Sequence, residues 1–312
     1  MKKTPLVSII TVNYNGCRHT LELLKSIQEL TYTNIETIVV DNCSSESVDL
    51  IAEEFPLVTL VKLHQNLGFA GGNNAGIQIA NGDYFYLVNN DTVLPEGCIE
   101  PLIDRITTSP KTGMVCPKIL YHEQPNIIQY AGYTPIHPIT VRNRGIGFLE
   151  ADLGQYNTAT ETALAHGAAM FIPRSVVAEV GLMAPQFFLY YEEIDYCERI
   201  KRAGYHIWYE PASTILHKES MSVGKESTLK AYYMSRNRLL YLRRNVAWPL
   251  FAISLAYYML IAVPKNSFAY LKKQQFKHLS AYLKGVWWNC FHFQNIHSNP
   301  PLHKTEQYEN RH

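Results

Sequence analysis

The sequence predicts an α/β fold, in which a mostly parallel sheet is flanked by helices and followed by a C-terminal helical extension. Two observations predict it. Apolar strand-like runs alternate with amphipathic helical segments through the first hundred residues, a pattern typical of a parallel sheet covered on both faces. After residue 225 the chain becomes basic, aromatic-rich and helical in character. We therefore predict two units, residues 1–225 and residues 226–312.

Segments of the first ninety residues alternate between the strand and helix patterns. In chain order they are LVSIITV (strand), HTLELLKSIQEL (helix), IETIVVDN (strand), SESVDLIAEEF (helix opened by a serine cap), LVTLVKL (strand), AGGNNAGIQIA (glycine-rich turn entering a helix) and YFYLVNN (strand). Runs rich in β-branched side chains favour strands, whereas apolar residues three or four positions apart favour a helix. The alternation predicts strands of one sheet joined by helices.

The second half of this unit is less regular. Between residues 113 and 175, short strand-like pieces (MVCPKILY, IIQYAGY and AAMFIP) are separated by loops rich in Gly, Pro and Asn. Aromatic residues then lead into an acidic helix start in FFLYYEEIDYCERIKRAGY, where Gly204 is placed to end the helix. Carboxylates in a first helical turn also suit the helix dipole, so a purely structural role for them is an alternative.

Composition and charge indicate a globular chain with two electrostatically different parts. Hydrophobic residues make up 47% and charged residues 18%, which is typical of a globular protein. Residues 1–225 hold 16 Lys/Arg against 24 Asp/Glu, a balance of −8, and residues 226–312 hold 12 against 3, a balance of +9. The basic part predicts an anionic partner, either lipid or nucleic acid. Six cysteines without metal-type spacing predict free thiols in a reducing cytoplasm.

An uncharged run of sixteen residues, WPLFAISLAYYMLIAV (248–263), lies within the basic part. It is shorter than the ~20 apolar residues that a helix needs to cross a bilayer. Arginines precede the run, lysines follow it, and it contains Trp and Tyr, which favour membrane interfaces. We predict a helix that lies in the membrane surface, with an ordinary core or dimer helix as the alternative.

Polar residues stand at or just beyond the carboxyl ends of the predicted strands. They are Asn13, Asp41, Asn66 and the run Asn89, Asn90 and Asp91. A turn alone would explain the run, because Asn and Asp tolerate left-handed backbone angles and bond their own main chain. In an open parallel sheet, however, ligands bind outside the carboxyl ends of the strands. Polar strand ends that share one edge of the sheet therefore predict a binding site.

Several motifs follow one another along the chain, namely VSIITVNYNG, IETIVVDNCSSE, NLGFAGGNNAG, GDYFYLVNNDTVLP, HGAAMFIPR, FFLYYEEIDYCERIKRAGY and LHKESMS. Over residues 5–245 this set resembles the family 2 glycosyltransferases, which have the Rossmann-like GT-A fold, and in particular their bacterial rhamnosyltransferase branch. The resemblance implies an inverting, metal-dependent enzyme that transfers rhamnose from dTDP-rhamnose to a growing surface polysaccharide or lipid-linked glycan. A cytoplasmic enzyme at the inner face of the plasma membrane, in contact with anionic lipid and without a nucleic-acid partner, is the corresponding expectation.

The resemblance also implies a divalent cation, Mg²⁺ or Mn²⁺, bound near the NND run. Asp91 stands at the last position of the family's DxD motif and is expected to bind the cation, while Asn89 stands at the first position, near the donor ribose. Asn90 lies between them and is expected to contact the donor. His217 matches the histidine that completes the metal shell in this branch. A carboxylate on a rigid strand end suits a hard cation, which would neutralise the leaving diphosphate.

The resemblance also implies donor-binding residues in further motifs of the chain. Asp41 matches the carboxylate that accepts a hydrogen bond from the pyrimidine base, and Thr11, Asn13 and Tyr14 are expected to line the same pocket, largely through their main chain. The NLGFAGGNNAG motif lacks a strict GxGxxG and resembles the family's donor loop. Its residues Asn66, Gly68 and Asn73 are expected near the ribose and the sugar.

The acidic pair of the EEID sequence supplies the expected catalytic base. An inverting transfer needs a carboxylate that removes the proton of the acceptor hydroxyl. By resemblance Glu193 occupies the position of the base, with Glu192 as the alternative, and Asp195 with Arg199 forms a structural ion pair. His166, at the start of HGAAMF, resembles an acceptor-side residue.

Three other interpretations remain open at the level of sequence. A sugar-nucleotide pyrophosphorylase shares a related sheet but needs a basic, glycine-rich signature after the first strand, and VNYNGCRHT lacks one. A non-catalytic, membrane-bound assembly subunit would not need Asp41, Asp91, Glu193 and His217 together. A transferase of the same fold that uses a UDP-hexose is the third interpretation, and a homodimer is possible for any of them.

Overall fold

The computed structural model describes residues 4–218, 227–292 and 297–302. The second half of the LHKESMS motif and the predicted boundary between residues 225 and 226 lie outside the described residues. The strands are β1 (Val7–Asn13), β2 (Ile35–Asp41), β3 (Thr59–Lys62), β4 (Tyr84–Val88), β5 (Thr92–Val93), β6 (Thr112–Tyr121), β7 (Gln124–Tyr130), β8 (Thr160–Glu161), β9 (Ala169–Pro173) and β10 (His206–His217).

The helices cover the sheet and then continue as a C-terminal group. They are α1 (Cys17–Gln28), α2 (Asp49–Glu54), α3 (Gly68–Ile79), α4 (Glu100–Thr107), α5 (Arg174–Val180), α6 (Glu192–Arg202), α7 (Thr228–Asn245), α8 (Leu250–Tyr257), α9 (Val263–Lys272) and α10 (Phe276–Phe291). A short 3₁₀ turn (Pro185–Phe187) precedes α6, and a π-helical turn (Tyr258–Ala262) joins α8 to α9.

One mixed sheet lies in the part of the chain before α7, in the strand order β3-β2-β1-β4-β9-β6-β10-β5. The first four strands are parallel, whereas β9 lies antiparallel between β4 and β6. The predicted fold class is confirmed, because the first four strands are parallel and β10 also pairs parallel with β6, through a connection that contains α5 and α6. The short strand-like pieces after residue 113 include β6 and β7, which pair antiparallel as a tight hairpin.

Strand register brings the polar strand ends together. Parallel pairing of β1 with β2 sets Asn13 directly beside Asp41. Antiparallel pairing of β10 with β5 sets His217 opposite Thr92, the neighbour of Asp91. The Asn89 amide donates to the Ala168 carbonyl at 3.0 Å, because β4 pairs with β9, and this places the HGAAMF loop beside the NND run.

Two local predictions were wrong in detail. The α2 helix begins at Asp49 rather than at the predicted serine, and the Ser47 hydroxyl instead bonds the Asp49 backbone and carboxylate in a local turn. The glycines of AGGNNAG lie inside α3 and not in a turn. A Cβ at Gly72 would meet Val12 at 2.8 Å and one at Gly76 would meet Ile10 at 2.4 Å, so these glycines allow α3 to pack closely on β1.

The C-terminal helices pack on the loop that precedes α6. The predicted basic helix is α7, and the Ser227 hydroxyl caps it by accepting from the Lys230 amide at 3.1 Å. A second hydrophobic cluster joins Phe187 and Tyr191 to α7, α8 and α10. Over the described parts of the chain, the length and hydropathy of each helix fall short of what a membrane crossing needs. All six cysteines lie within the described residues and are free thiols, as predicted.

Candidate active site

A polar network occupies the carboxyl ends of β1 and β2. The Asn13 amide donates to the Asp41 carboxylate at 2.9 Å and to the Ser44 hydroxyl at 3.1 Å. In turn, the side-chain oxygen of Asn13 (Oδ1) accepts a hydrogen bond from the Thr20 hydroxyl at 2.9 Å. Both Asn13 and Asp41 are buried, so this network fixes the orientation of the Asp41 carboxylate.

The other two predicted base-pocket residues differ in their placement. The side chain of Thr11 is fully buried, and its hydroxyl has no hydrogen-bond partner within the described residues. Tyr14 is exposed at the edge of the sheet, where its ring is accessible to a ligand. Thr11 can therefore act toward a ligand only through its main chain, whereas Tyr14 can act through its ring.

The donor-loop motif is held by an asparagine that sequence reasoning missed. The side-chain amide of Asn42 donates to Asn66 Oδ1 at 2.9 Å, and Asn42 Oδ1 accepts from the Leu67 backbone amide at 2.8 Å. Gly68 has φ +71°, and a Cβ there would lie 2.1 Å from the Phe188 carbonyl oxygen, so only glycine fits. This loop therefore lies directly against the segment that leads into α6.

The two neighbouring asparagines of α3 turn toward protein groups. The Asn73 amide donates to the Phe69 carbonyl one turn earlier, at 3.0 Å. Asn74 exchanges two hydrogen bonds with the Met183 backbone, at 2.8 and 3.0 Å. Asn73, which the resemblance placed near the sugar, thus has its amide nitrogen committed to its own helix in this conformation.

The NND run forms a turn and also borders the site. The Asn89 carbonyl accepts from both the amide and the hydroxyl of Thr92, at 3.2 and 2.7 Å. The Asn90 amide donates to the Thr20 hydroxyl at 3.1 Å and to the Gly16 carbonyl at 3.3 Å, which ties the run to the start of α1. Turn formation and site formation therefore coincide in the same residues.

Asp91 and His217 face one another directly. The Asp91 Oδ1 atom lies 3.1 Å from His217 Nε2, and both side chains are buried. Burial raises the pKa of Asp91, but the hydrogen bond and charge of His217 lower it by more, so the pKa lies below the usual range of an aspartate. An anionic carboxylate beside an imidazole nitrogen is a suitable pair of ligands for a divalent cation.

Gln129, which lies in none of the motifs, orients the imidazole of His217. Its Oε1 atom lies 2.6 Å from His217 Nδ1, so Nδ1 carries the proton that is donated to Gln129. A hydrogen bond of this kind fixes the tautomer and directs Nε2 toward a metal. No cluster of three His, Cys, Asp or Glu side chains suited to a metal occurs within the described ranges. The pair therefore fits a cation that takes its other ligands from a bound nucleotide.

Basic side chains border this pair. Lys218 follows His217, its amide donates to the Asp91 carbonyl at 2.9 Å, and its ammonium pairs with Glu22. Arg18 also pairs with Glu22, at 3.3 Å. His19 contributes to lowering the pKa of Asp91, although less than His217 does. Lys218 therefore lies next to the Asp91–His217 pair, with Glu22 as its counterion.

The α6 helix begins at the acidic pair, after an unusual backbone segment. Phe188, Tyr190 and Tyr191 have φ values of 64°, 69° and 76°, which are left-handed values that non-glycine residues rarely adopt. Such conformations persist where the surrounding structure holds them, and they concentrate at functional sites.

The surrounding structure that holds this segment includes Asn237 of α7. Its amide nitrogen lies 2.8 Å from each of the carbonyl oxygens of Phe187, Leu189 and Tyr190. These residues precede Asn237 by 50, 48 and 47 positions in the chain, so their recognition by Asn237 has no signature in a single sequence. We call this set of contacts the Asn237 clamp.

The two glutamates lie in different surroundings. Glu192 is buried, and its Oε2 atom has no hydrogen-bond partner among the described residues. Burial, together with the charge of Glu193, raises the pKa of Glu192 well above its usual value. Glu193 is half-buried, and a Cβ built on Gly167 would lie 3.7 Å from its Cγ atom. Burial also raises the pKa of Glu193.

His166 lies between the Asp91–His217 pair and Glu193. Its ring centroid is 5.9 Å from that of His217 and 6.2 Å from that of Tyr133, on which it stacks, while the next residue, Gly167, lies close to the Glu193 side chain. Its Nδ1 atom accepts from the Ala168 amide at 3.1 Å. Burial and the charge of His217 lower the pKa of His166 to about 3, so the ring is neutral at physiological pH.

The predicted ion pair of α6 is confirmed and is larger than expected. Asp195 accepts from Arg199 at 3.1 Å and from Arg244 of α7 at 2.8 Å, and it is fully buried. The Asn245 amide adds a further bond at 2.9 Å. Asp195 therefore joins α6 to α7 and has no free carboxylate oxygen for chemistry.

The family of the chain follows from a comparison with known sequences. Residues 8–181, more than half of the chain, match the family described as Glycosyl transferase family 2. The chain belongs to this family, as the motifs predicted. The predicted class, a glycosyltransferase that acts on a nucleotide-sugar donor, is thereby supported.

Two curated relatives are similar over most of their length. The low-salt glycan biosynthesis hexosyltransferase Agl10 of Haloferax volcanii is 29% identical over 75% of this chain and 74% of its own. The N-acetylglucosaminyl-diphospho-decaprenol L-rhamnosyltransferase of Mycobacterium tuberculosis is 24% identical over 78% of this chain and 87% of its own.

Two solved structures share the GT-A fold. The mannosyltransferase PcManGT of Pyrobaculum calidifontis, in complex with GDP-Man and Mn²⁺, has a TM-score of 0.56 and 15% identity over 93% of this chain and 88% of its own. GalNAc-T7 with UDP, GalNAc and Mn²⁺ has a TM-score of 0.59 and 16% identity over 79% of this chain. This chain spans 52% of that polypeptide.

Proposed function

We propose that the chain is a metal-dependent, inverting glycosyltransferase that moves rhamnose from dTDP-rhamnose to a lipid-linked glycan of a surface polysaccharide. One observation carries the proposal. Hydrogen bonds and ring contacts link Asp41 through Asn13 and Asn90 to Asp91 and His217 and on to His166, and the next residue, Gly167, lies close to the Glu193 side chain. The groups proposed to bind the base, to hold the metal and to act as the catalytic base are therefore neighbours, which supports the proposal.

The donor would lie along the carboxyl edge of the sheet. Its pyrimidine would bond Asp41, which Asn13 orients, and Tyr14 would cover the ring. Its diphosphate would lie beside Asp91 and His217, within reach of the basic groups around Lys218. Its sugar would then point along the His166 loop toward Glu193.

Asp91 and His217 would hold Mg²⁺ or Mn²⁺ together with oxygen atoms of the diphosphate. The bound cation would supply Lewis-acid stabilisation of the charge that develops on the leaving nucleoside diphosphate. Gln129 would keep His217 Nε2 directed at the cation. With two protein ligands, the site would bind metal more tightly when the nucleotide is present.

Glu193 would act as the base of a single displacement. The acceptor oxygen attacks the anomeric carbon, its proton passes to the Glu193 carboxylate, and the nucleoside diphosphate leaves with the electrons of the broken bond. Attack from the face opposite the leaving group inverts the anomeric configuration. Glu192 is less suited to this role, because its carboxylate is sealed from solvent beneath the loop.

The choice of sugar and acceptor rests on the relatives. The Mycobacterium tuberculosis relative is named for L-rhamnosyl transfer to a diphospho-decaprenol-linked sugar, which supports rhamnose and a lipid-diphosphate acceptor. The Haloferax volcanii relative is named a hexosyltransferase, which keeps a hexose donor as the second candidate.

A donor screen separates the two candidate donors: release of nucleoside diphosphate is followed from dTDP-, UDP- and GDP-sugars with Mg²⁺ or Mn²⁺. We expect the highest rate with dTDP-rhamnose, and a preference for a UDP-hexose would overturn the choice.

The C-terminal helices would attach the enzyme to the inner membrane surface. Residues 227–292 contain ten Lys/Arg and no Asp/Glu. Around the π-helical turn and α9, Leu260 and Phe268 are 76% and 67% exposed, and Lys265 and Lys272 lie exposed among them. Apolar side chains interleaved with cations suit an anionic bilayer surface, where each cation contributes about 1 kcal/mol.

This attachment predicts salt-sensitive binding to vesicles. The full chain should co-sediment with anionic vesicles at low salt and be released at high salt, because surface electrostatics are screened. The double variant Leu260→Ser and Phe268→Ser should bind several-fold more weakly at any salt concentration, since each residue loses apolar burial. Leu153→Ser, at an 87% exposed position on the sheet unit, serves as the matched control. Equal pelleting with neutral and anionic vesicles would contradict the proposal. Concentration-dependent dimerisation through this face would show that it is a dimer interface instead.

The Asn237 clamp predicts a positioning effect on Glu193. Asn237→Leu keeps the shape but removes the side-chain amide from the three carbonyls, of which only that of Phe187 keeps another donor among the described residues, the Leu189 backbone amide at 2.8 Å. A buried carbonyl left without a donor costs about 1–3 kcal/mol. We expect kcat to fall roughly tenfold, the scale set by small misplacements of a catalytic group, while nucleotide affinity stays unchanged. Asn289→Leu removes a buried amide from the same helical layer and is the control for stability alone. Equal kcat values for the two variants would show that the clamp only stabilises the fold.

A further inference from the structure

A cavity of about 420 Å³ lies among the C-terminal helices, apart from the carboxyl edge of the sheet. It is bounded by α7, the π-helical turn, α9 and the start of α10. Tyr191, Tyr258 and Tyr282 contribute to its walls, and Lys230, Arg238 and Lys273 also line it. The volume lies within the range of about 300–1,000 Å³ that is usual for small-ligand sites.

The charge of this cavity is strongly positive. Its lining contains three permanent cations, Lys230, Arg238 and Lys273, and no carboxylate among the described residues. Arg238 lies over the Tyr258 ring at 5.2 Å and donates to the Thr140 carbonyl, neither of which neutralises its charge. Lys230 lies 5.9 Å from the Tyr190 ring. The cavity also borders Ser227, at the N-terminus of α7, where backbone amides favour an anion.

The cavity lining joins two parts of the molecule that suggest the shape of its ligand. Tyr191 forms part of the wall, and it directly precedes Glu192 and Glu193 at the start of α6. Lys273 also lines the cavity and lies in the turn between α9 and α10, where the neighbouring Leu271 and Phe276 are 48% and 63% exposed. A ligand that fills the cavity would therefore lie near both the loop before α6 and an exposed apolar surface.

We propose that this cavity binds the diphosphate of a prenyl-diphosphate-linked acceptor. The proposal rests on the proposed function and adds the site that would hold the acceptor. The three cations of the lining would bind the phosphate oxygens by charge-assisted hydrogen bonds. The prenyl chain would leave the cavity past Leu271 and Phe276 toward the membrane, and the sugar would leave it past Tyr191 toward Glu193.

Calorimetry on the full chain tests this site with geranyl diphosphate, inorganic pyrophosphate and geraniol as probes. EDTA is present so that the Asp91–His217 pair cannot recruit metal-bound diphosphate, and each titration is repeated with saturating dTDP. We expect geranyl diphosphate to bind in both conditions, pyrophosphate to bind more weakly, and geraniol to bind weakest. The double variant Lys230→Gln and Lys273→Gln should lose roughly tenfold in affinity for geranyl diphosphate, as expected for two surface cations.

The matched control is the double variant Lys277→Gln and Lys284→Gln, which removes two exposed lysines of α10 outside the cavity lining. It should keep the wild-type affinity. Equal affinity of both double variants would overturn the site, and equal affinity of geranyl diphosphate and pyrophosphate would overturn the lipid-linked ligand. Displacement by dTDP would assign the binding to the donor pocket instead. A separate titration of dTDP is made with Mn²⁺ in place of EDTA. If dTDP does not bind there while geranyl diphosphate binds in EDTA, the proposed function fails and the anion site stands.

Discussion

Replacement of Asp91 by alanine should reduce glycosyl transfer by on the order of a thousandfold or more, the scale set by several kcal/mol of metal-assisted charge stabilisation. The variant removes one of the two side chains that would hold the cation, and it leaves His217 without its 3.1 Å partner. The measurement is the rate of nucleoside diphosphate release with saturating acceptor, in Mn²⁺ and in EDTA. Wild-type enzyme in EDTA should be as inactive as Asp91→Ala in Mn²⁺.

Asp104→Ala provides the matched control, because Asp104 is an exposed aspartate on α4. It should keep wild-type activity and the same dependence on metal. Far-ultraviolet circular dichroism and thermal unfolding establish that Asp91→Ala is folded. Wild-type turnover by Asp91→Ala, or turnover that persists in EDTA, would contradict the assignment of the metal pair.

Replacement of Glu193 by glutamine should lower kcat by on the order of a hundredfold or more, the usual contribution of a positioned general base. The amide keeps the shape of the side chain but cannot accept the proton of the acceptor hydroxyl. Donor binding, measured by calorimetry with the nucleoside diphosphate and metal, should not change. Glu192→Gln is the matched control one residue away, and a loss confined to that variant would reverse the roles of the two glutamates.

The pH dependence of kcat for the wild-type enzyme gives a second test of Glu193 as the general base. Burial raises the pKa of Glu193 above the ordinary value of a glutamate. Because the base acts only when it is deprotonated, kcat should rise as the pH increases through that raised pKa and then reach a plateau. The acidic limb should therefore lie at higher pH than for an exposed glutamate, and it should vanish in Glu193→Gln.

Much of the site could be predicted from the sequence because its residues stand at strand ends. Asn13, Asp41 and Asp91 each follow an apolar run whose pattern gives a strand, and a parallel sheet gathers such ends on one edge. The start of α6 was also predictable, since an acidic pair follows an aromatic loop and Gly204 ends the helix.

The supporting residues could not be predicted in this way. Gln129 bonds His217 across 88 positions, and Asn237 bonds Phe187 across 50. Each lies in an ordinary strand or helix pattern, so its function depends on a tertiary contact that no local spacing records. The glycines of α3 were misread for the same reason, because their purpose is the close approach to Ile10 and Val12 of β1.

The stereochemistry of the product tests most directly the claim that Glu193 drives a single displacement at this edge of the sheet. The productive donor from the screen is incubated with acceptor and metal, and the anomeric configuration of the first product formed is read by proton nuclear magnetic resonance. We expect a product whose anomeric configuration is opposite to that of the donor, and no product above background with Glu193→Gln. A product that retains the configuration of the donor would contradict it.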